Sequence, residues 1–540
     1  MEQAQRLKRE KSQMPTAKSI MLFAVFFLIL LAVHIFIEAD FGDDVHYAGE
    51  WGKEPLSTFL KNRYDWWSSR VVIEAAMLPL AAAPVWVWKL LDIAMLLLLV
   101  YNAADLFAAG QAHVQKGVQA AGQMHVQMGA RAAGQAHMQR GVQANGKIQA
   151  QLFFFAGLWM IPLLSINGAG WITTTTNYLW ALALGLVALR PLKHCLCREK
   201  CAAWEWLACP LCTLYAANME QMGAILCGAY LACGVFLLVR DRRALLFYAQ
   251  AGAEKDAAEA AHGPRGSKGS KALPCLILLQ TLLVLWMLYF VLSSPGNGWR
   301  NQYEIERYFP EFEALSTWEK LHMGFLETGQ YYLTGGDKRG CYIFALLSGA
   351  LLAAALQKKI KDGGGTRRKR LAGWCGLLAA FAPVGFYWGV GHLGSYLLSR
   401  AALPRGGHIV GVLCHNHNLP GLGAYTPGLV ALQTAVYLFL LLCTVLAVWY
   451  VHGRSGETLL EWTVLAAGLA SRVIIGFSPT VYISGERTAL FCSMAFLIVT
   501  FRNIQIFWGK AAGWQPRAAV AAYMALILAG NLYCNKPYLF

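Results

Sequence analysis

The chain predicts an all-α fold, a polytopic transmembrane helical bundle of about 13 spans, and three observations carry that expectation. Of its 540 residues 57% are hydrophobic and 14% charged, where a soluble domain carries roughly a quarter charged residues. Apolar runs of about 17–23 residues recur along the chain, each long enough to cross a hydrocarbon core. Lys and Arg are distributed unevenly between alternate loops, as orientation in a membrane requires. Backbone groups in lipid must find partners within their own segment, so the runs are expected as helices.

Taken in order, the spans are expected at 18–38, 86–108, 152–171, 178–192, 203–217, 222–239, 272–293, 341–357, 371–390, 429–450, 457–477, 488–503 and 517–533. Residues 1–17 form a basic tail whose Arg6, Lys8, Arg9 and Lys11 suit an anchor and not a cleaved signal. With that tail cytoplasmic and the C-terminus outside, about 31 of the 46 Lys and Arg fall on the cytoplasmic side and roughly 13 opposite. The net charge of +16 is therefore read as orientation and contact with anionic lipid, at Arg240–Arg243, Lys358–Lys361 and Arg367–Arg370. Nucleic acid is excluded as a partner on the same distribution, and the lipid bilayer is expected as one. A bacterial plasma membrane is the expected location.

Residues 18–107 hold the first spans with an outer loop at 39–85, and 152–293 a membrane bundle. Residues 294–340 form a large outer loop, and 341–540 a C-terminal bundle with outer loops at 391–428 and 478–487. Val71–Ala83 is apolar but too short to span, so an interfacial or re-entrant helix is expected. Trp66, Trp67, Trp86, Trp88, Trp299 and Trp318 fall where an aromatic belt would place them. Between 108 and 151 a 12-residue unit repeats, as AAGQAHVQKGVQ, AAGQMHVQMGAR and AAGQAHMQRGVQ. Twelve residues turn a helix about 120° past whole turns, so His113, His125 and His137 share no face and a cytoplasmic insert is the expectation.

The 14 cysteines lie mostly within spans or on the cytoplasmic side. His194, Cys195, Cys197, Cys201, Cys209 and Cys212 offer enough ligands for zinc, with free or acylated thiols at the membrane edge as the favoured reading. His408, Cys414, His415 and His417 are a second, weaker set, and Cys341, Cys414 and Cys534 allow one disulfide. No metal ligand is assigned.

The richest chemistry follows the first span, where Glu38, Asp40, Asp43 and Asp44 crowd a membrane boundary in the run Phe41-Gly42-Asp43-Asp44-Val45-His46-Tyr47. Ionisable groups at such a boundary are costly to desolvate and are functional candidates by default. Arg300 and Arg487, with Arg70 and His392 as lesser candidates, are expected at outer loops, where guanidinium forks match phosphate oxygens. Glu220 and Arg472 are buried-ionisable candidates; Arg472 is expected mainly in a structural salt bridge, with Glu74 as one partner.

The D-D-V-H-Y run resembles the first outer loop of GT-C-type glycosyltransferases, among them protein O-mannosyltransferases (D-E-V-H-F) and lipid A aminoarabinose transferases (D-E-x-x-Y). Further short pieces resemble bacterial members of that class: Trp66 to Arg70, Asn177 to Trp180, Pro295-Gly296-Asn297 with Arg300, and Ser478-Pro479-Thr480 followed by Glu486-Arg487-Thr488. The repeat departs from the family pattern. The resemblance implies a GT-C-like bundle with an outer-face catalytic loop and an inverting glycosyltransferase. Its co-substrate would be a polyprenyl-phosphate sugar and its acceptor a cell-envelope glycan, lipid or protein. It implies Asp43 as base, with Asp44 beside it positioning an acceptor, binding a divalent cation or capping the following helix. His46, Tyr47, Asn177, Glu220 and Asn297 would line the acceptor cavity, and Arg300, Arg487, Arg70 and His392 would hold the donor phosphate. No other cofactor is expected, and the divalent cation is left open. A transporter or flippase for a lipid-linked or small polar solute, and a non-catalytic membrane scaffold, are the alternatives. Flux without sugar transfer would mark the first, and an Asp43 pointing away from any cavity the second.

Overall fold

The computed structural model describes residues 17–39, 41–108, 146–167, 169–197, 199, 201–251, 272–334, 342–362, 366–394, 396, 413, 427–510 and 513–536, without the side chains of 108, 236–251, 272 and 510. The repeat between 109 and 145, the set His408, Cys414, His415 and His417, and Cys341 lie outside the described residues. Every regular element among the described residues is helical. Ten helices there are long and apolar enough to cross a membrane: Ala17–Ile35, Val85–Phe107, Trp171–Cys197, Leu273–Leu292, Ile343–Lys361, Arg367–Gly394, Pro427–His452, Gly456–Phe477, Arg487–Gly509 and Gln515–Asn535. The chain is an all-helical, polytopic membrane protein.

Three of the 13 runs read from the sequence are not among the ten, and proline accounts for one of them. The run expected at 152–171 is helical to 158, breaks before Pro162, whose nitrogen carries no hydrogen to continue a helix, and resumes only as the short turn Leu164–Asn167. The run at 203–217 becomes the 13-residue helix Glu205–Ala217, with Pro210 inside it. The run at 222–239 lies within the 32-residue helix Glu220–Ala251.

The polar stretch Thr173 to Asn177 corrects the expected boundary of the fourth span, which starts at Trp171. Its side chains return to carbonyls one turn back: Thr175 Oγ1 to Trp171 at 2.6 Å, Thr176 Oγ1 to Ile172 at 2.7 Å and Asn177 Nδ2 to Thr173 at 2.7 Å. With these bonds, and with Thr173 Oγ1 bonded to Asp44 and Thr174 Oγ1 accepting from Ala169 N–H, all five residues are buried. The same back-bonding accompanies a local π-helical widening at Thr175–Trp180.

Five further helices gather at one end of the bundle: Asp43–Glu50, Leu56–Trp66, Val71–Ala82, Pro295–Tyr308 and Thr317–Gly329. The last opens with a capping box between Ser316 and Glu319. Helix Val71–Ala82 buries Ile73, Met77, Leu78 and Leu80 and packs on its neighbours 43–50, 56–66 and 85–108. Trp88, expected in the interfacial belt, is instead fully buried and donates its indole N–H to Thr175 at 3.0 Å. A small core of Ile305, Phe309, Phe312, Met323, Ile475 and Val481 joins the 294–334 segment to the loop after helix Gly456–Val473. There two backbones touch: a Cβ at Gly324 would fall on the Val473 carbonyl, and one at Gly476 on the Lys320 carbonyl.

At the opposite end basic residues tie helices together. Asp105 accepts from Lys147 at 2.9 Å, Lys193 at 2.7 Å and Arg190 at 3.3 Å, and Arg190 also donates to Glu205 at 2.7 Å.

The glycine contact predicts a sharp positional contrast. Gly324→Ala should cost about 1–3 kcal/mol by overpacking and lower the Tm in detergent. Gly298→Ala, on a helix with open space around that position, should leave the Tm unchanged or raise it.

Candidate functional site

The two aspartates after the first span have opposite environments. Gly42, at φ +61°, and Gly170, at φ +134°, let two chain segments approach closely. A Cβ on Gly42 would strike the Ala169 carbonyl, and one on Gly170 would lie 2.7 Å from Asp44 Oδ1. Asp43 N–H donates to Ala169 O at 3.0 Å. Asp44 Oδ2 accepts from Ile172 N–H at 2.9 Å, and its Oδ1 from Thr173 N–H at 2.8 Å and Thr173 Oγ1 at 2.7 Å. Asp44 thus caps the N-terminus of helix Trp171–Cys197, whose first amides have no partner in their own helix.

This corrects the sequence expectation that Asp44 acts at the reacting centre or caps the helix that follows it. Both of its oxygens are engaged, it is 2% exposed, and the helix it caps lies 128 residues on. Burial pushes its pKa up, the three hydrogen bonds oppose that, and the charge of Asp43 adds to it. Asp43 is the complement. Its side chain is exposed and makes no hydrogen bond or ion pair with a described residue.

Around this pair the structure gathers most of the residues expected at the site. Tyr47 is buried, and its hydroxyl accepts from Arg63 Nη2 at 2.7 Å. Arg63 also holds Glu74, at 2.7 and 3.0 Å. Burial, then the charge of Glu74, push the Tyr47 phenol up, so it stays protonated. Arg70 spans two elements, donating to Glu220 at 2.8 Å through Nη2 and to Asn177 Oδ1 at 3.2 Å through Nη1, with its guanidinium 5.8 Å from the Tyr178 ring. Arg300 donates to Glu304 at 2.8 Å, and its charge lies near enough to act on Tyr47 and Glu220. His46 is exposed beside Tyr47.

Other expected residues have structural duties. Asn297 Nδ2 donates to Val291 O at 2.8 Å and its Oδ1 accepts from Ser69 N–H at 3.4 Å. A Cβ at Gly296 would collide with Trp67 N. The Trp66-to-Arg70 and Pro295-to-Asn297 pieces are thus two halves of one joint. His392 packs among Tyr342, Tyr387 and Trp388, with ring centroids 4.9–5.5 Å away, and touches no residue of the Asp43 cluster.

Arg487 and Arg472 make a second group. Arg487 Nη2 donates to Ser484 at 2.8 Å, while its buried Nε has no hydrogen-bond partner. Arg472 is fully buried. Its Nη2 lies 3.5 Å from Glu327 Oε1, its guanidinium 5.5 Å from the Tyr331 ring, and its Nε and Nη1 are without partners. Glu74, the acid suggested for Arg472 from sequence, belongs to Arg63 instead. Segment 164–180 touches both groups, packing on helix Asp43–Glu50 at one side and on 487–489 at the other. Gln221, next to Glu220, donates to Ser471 O at 2.7 Å, next to Arg472. The two groups therefore border one region at the same end of the bundle.

Sequence reasoning missed Arg63, Asn218 and Glu327. Asn218 Oδ1 accepts from Val72 and Ile73 N–H at 3.0 and 3.2 Å and so caps helix Val71–Ala82. Nothing in the local pattern marks a cap supplied from 145 residues away.

The cysteine cluster at the basic end gathers only in part. His194, Cys201 and Glu205 bring one ligand atom each to within 4.8 Å of one another. Glu205 already accepts from Arg190 at 2.7 Å, Ala202 N–H at 2.7 Å and His194 at 3.0 Å. Burial and the Glu205 charge push the Cys201 thiol up to about 11, so it is protonated in this arrangement. The cluster is an ion-pair network closing the start of helix Glu205–Ala217, and its donors are spent on one another.

The contrast within the aspartate pair is testable by unfolding in detergent. Asp44→Ala should lower stability by about 2–3 kcal/mol, since it strands two buried amides that paired with a charge. Asp44→Asn should lose less, because one acceptor oxygen remains. Asp43→Asn should leave the Tm unchanged.

No protein-family model, no curated protein and no solved structure matches the chain.

Proposed function

We propose that the chain is an integral-membrane, GT-C-like inverting glycosyltransferase. It moves a sugar from a polyprenyl-phosphate donor to a cell-envelope glycan, lipid or protein acceptor at the outer face. The observation that carries this reading is the division of labour between Asp43 and Asp44. One carboxylate is held immobile as a helix cap, and the other is held beside it, exposed and without a hydrogen bond. A general base needs reach to an acceptor proton and a lone pair not already committed. Asp43 has the uncommitted lone pair, and its exposure leaves it open to an acceptor.

In the proposed reaction Asp43 takes the proton of an acceptor hydroxyl as that oxygen attacks the sugar's anomeric carbon. The carbon–oxygen bond to the lipid phosphate breaks on the opposite face, and the phosphate leaves with the bonding pair. Its charge needs cationic donors with hydrogen bonds left to make. Of the four donor-phosphate candidates read from sequence, Arg70 and Arg300 are paired with Glu220 and Glu304, and His392 lies in an aromatic cluster. Arg487 keeps an unpartnered Nε, and Arg472 adds two unpartnered nitrogens. A buried guanidinium with unmade hydrogen bonds is costly, and a phosphate oxygen would relieve that cost. Arg472 and Arg487 are therefore the proposed donor site, with Glu220 and Asn177 positioning Arg70 at the acceptor side.

Two measurements test the reading with purified protein, polyprenyl-phosphate sugars and envelope acceptors. Asp43→Asn should reduce transfer by about 10²–10⁴-fold, the usual worth of a general base, with unchanged membrane insertion. Full activity in that variant overturns the base assignment. Arg487→Gln should weaken donor use while leaving the Tm within error. Solute flux into liposomes without sugar transfer would reassign the site to transport.

A further inference from the structure

We propose that the basic end of the bundle carries a binding site for an anionic phospholipid, in a cleft between helices Ile343–Lys361, Arg367–Phe386 and Pro427–His452. The cleft has a volume of about 820 Å³, within the range of small-molecule pockets. Its mouth is lined by Lys358, Lys361, Asp362 and Lys369, and its interior by Gly376, Ala379, Leu446 and Trp449.

Small residues on one wall create the space. Gly376 lies against the Tyr450 ring, where a Cβ would collide, so the two helices approach closely there. Ala372 and Ala379, one turn to either side, leave the flanking volume unfilled.

The charges at the mouth are not equivalent. Lys358 donates to Tyr450 O at 2.6 Å and so serves the C-terminal carbonyls of helix Pro427–His452. Lys361 and Lys369 are exposed and make no ion pair or hydrogen bond with a described residue. Among the described residues lining the cleft only Asp362 opposes them, so the rim is net positive and suits a phosphate diester.

The apolar side indicates a lipid over a free anion. Leu442, Leu446 and Trp449 are 55%, 40% and 46% exposed. Their spacing, i, i+4 and i+7, puts them on one face of the helix, and that face leads from the cleft toward the middle of the span. A headgroup held by Lys361 and Lys369 would lay an acyl chain along this track, with Trp449 at the boundary. The inference does not depend on the glycosyltransferase reading.

Cys375 lines the cleft and is exposed. Cys275 is exposed on helix Ala272–Leu292 and takes no part in the cleft, so it serves as an internal control. Maleimide labelling of both thiols is followed by peptide mapping on the full chain in detergent. Phosphatidylglycerol at ten times its Kd should slow Cys375 labelling about tenfold, as site occupancy dictates, and leave Cys275 unaffected. Phosphatidylcholine and inorganic phosphate should protect neither. The K361Q/K369Q double variant should lose the protection while keeping its Tm. Equal protection by phosphatidylcholine, by inorganic phosphate alone, or in the double variant overturns the proposal.

Discussion

The clasp between Asp44 and the amides of Ile172 and Thr173 is the constraint on which the Asp43 end of the molecule is built. A helix N-terminus buried without partners leaves several N–H groups unsatisfied. Helix Trp171–Cys197 starts inside the bundle, with no side-chain cap at Gly170. Asp44 supplies the missing acceptor from another element, and the glycines at 42 and 170 allow the approach. Once that carboxylate is fixed, the orientation of helix Asp43–Glu50 is fixed with it. The burial of Tyr47 follows, because residues three apart share a face of one helix, and Asp43, one residue before Asp44, is turned about 100° away from that face.

Asn218 repeats the device for helix Val71–Ala82. Two helices that begin at depth are capped from afar, which lets polar chain penetrate the bundle without unpaired amides. Between them runs a set of matched charges, Arg63 with Glu74 and Arg70 with Glu220. Breaking one partner of such a pair strands the other, so these pairs hold the shape of the region more than they add net stability. Asp43 on one side and the unpartnered nitrogens of Arg472 and Arg487 on the other are what this matched set leaves uncommitted. Chemistry is cheapest to place on such groups, since no interaction must first be broken.

The two ends of the bundle use charge differently. At the basic end Asp105 and Glu205 absorb Lys147, Lys193 and Arg190, so part of the cationic excess is structural. Lys361 and Lys369 are outside that network. A count of Lys and Arg by loop cannot separate the two populations, because orientation in the membrane depends on the total.

Helical class, membrane character and the run of candidate residues from Asp43 to Tyr47 were readable in the residue order. Hydrophobic length and local composition are properties of contiguous chain, and lipid leaves helices as the only solution. The buried Thr173-to-Asn177 stretch misled the same reasoning, because its polarity is cancelled by carbonyls one turn back. The partners of individual charges were hidden altogether. Arg472 meets Glu327 and not Glu74, and Asp44 caps a helix 128 residues distant. Such pairings depend on which helices pack together, and packing is chosen by summed shape and desolvation over the whole bundle. Residue order alone therefore predicted that acids and arginines collect at one membrane boundary. Tertiary packing decided which of them are neutralised and which keep a free lone pair or an unmade hydrogen bond, since only burial and proximity set that cost.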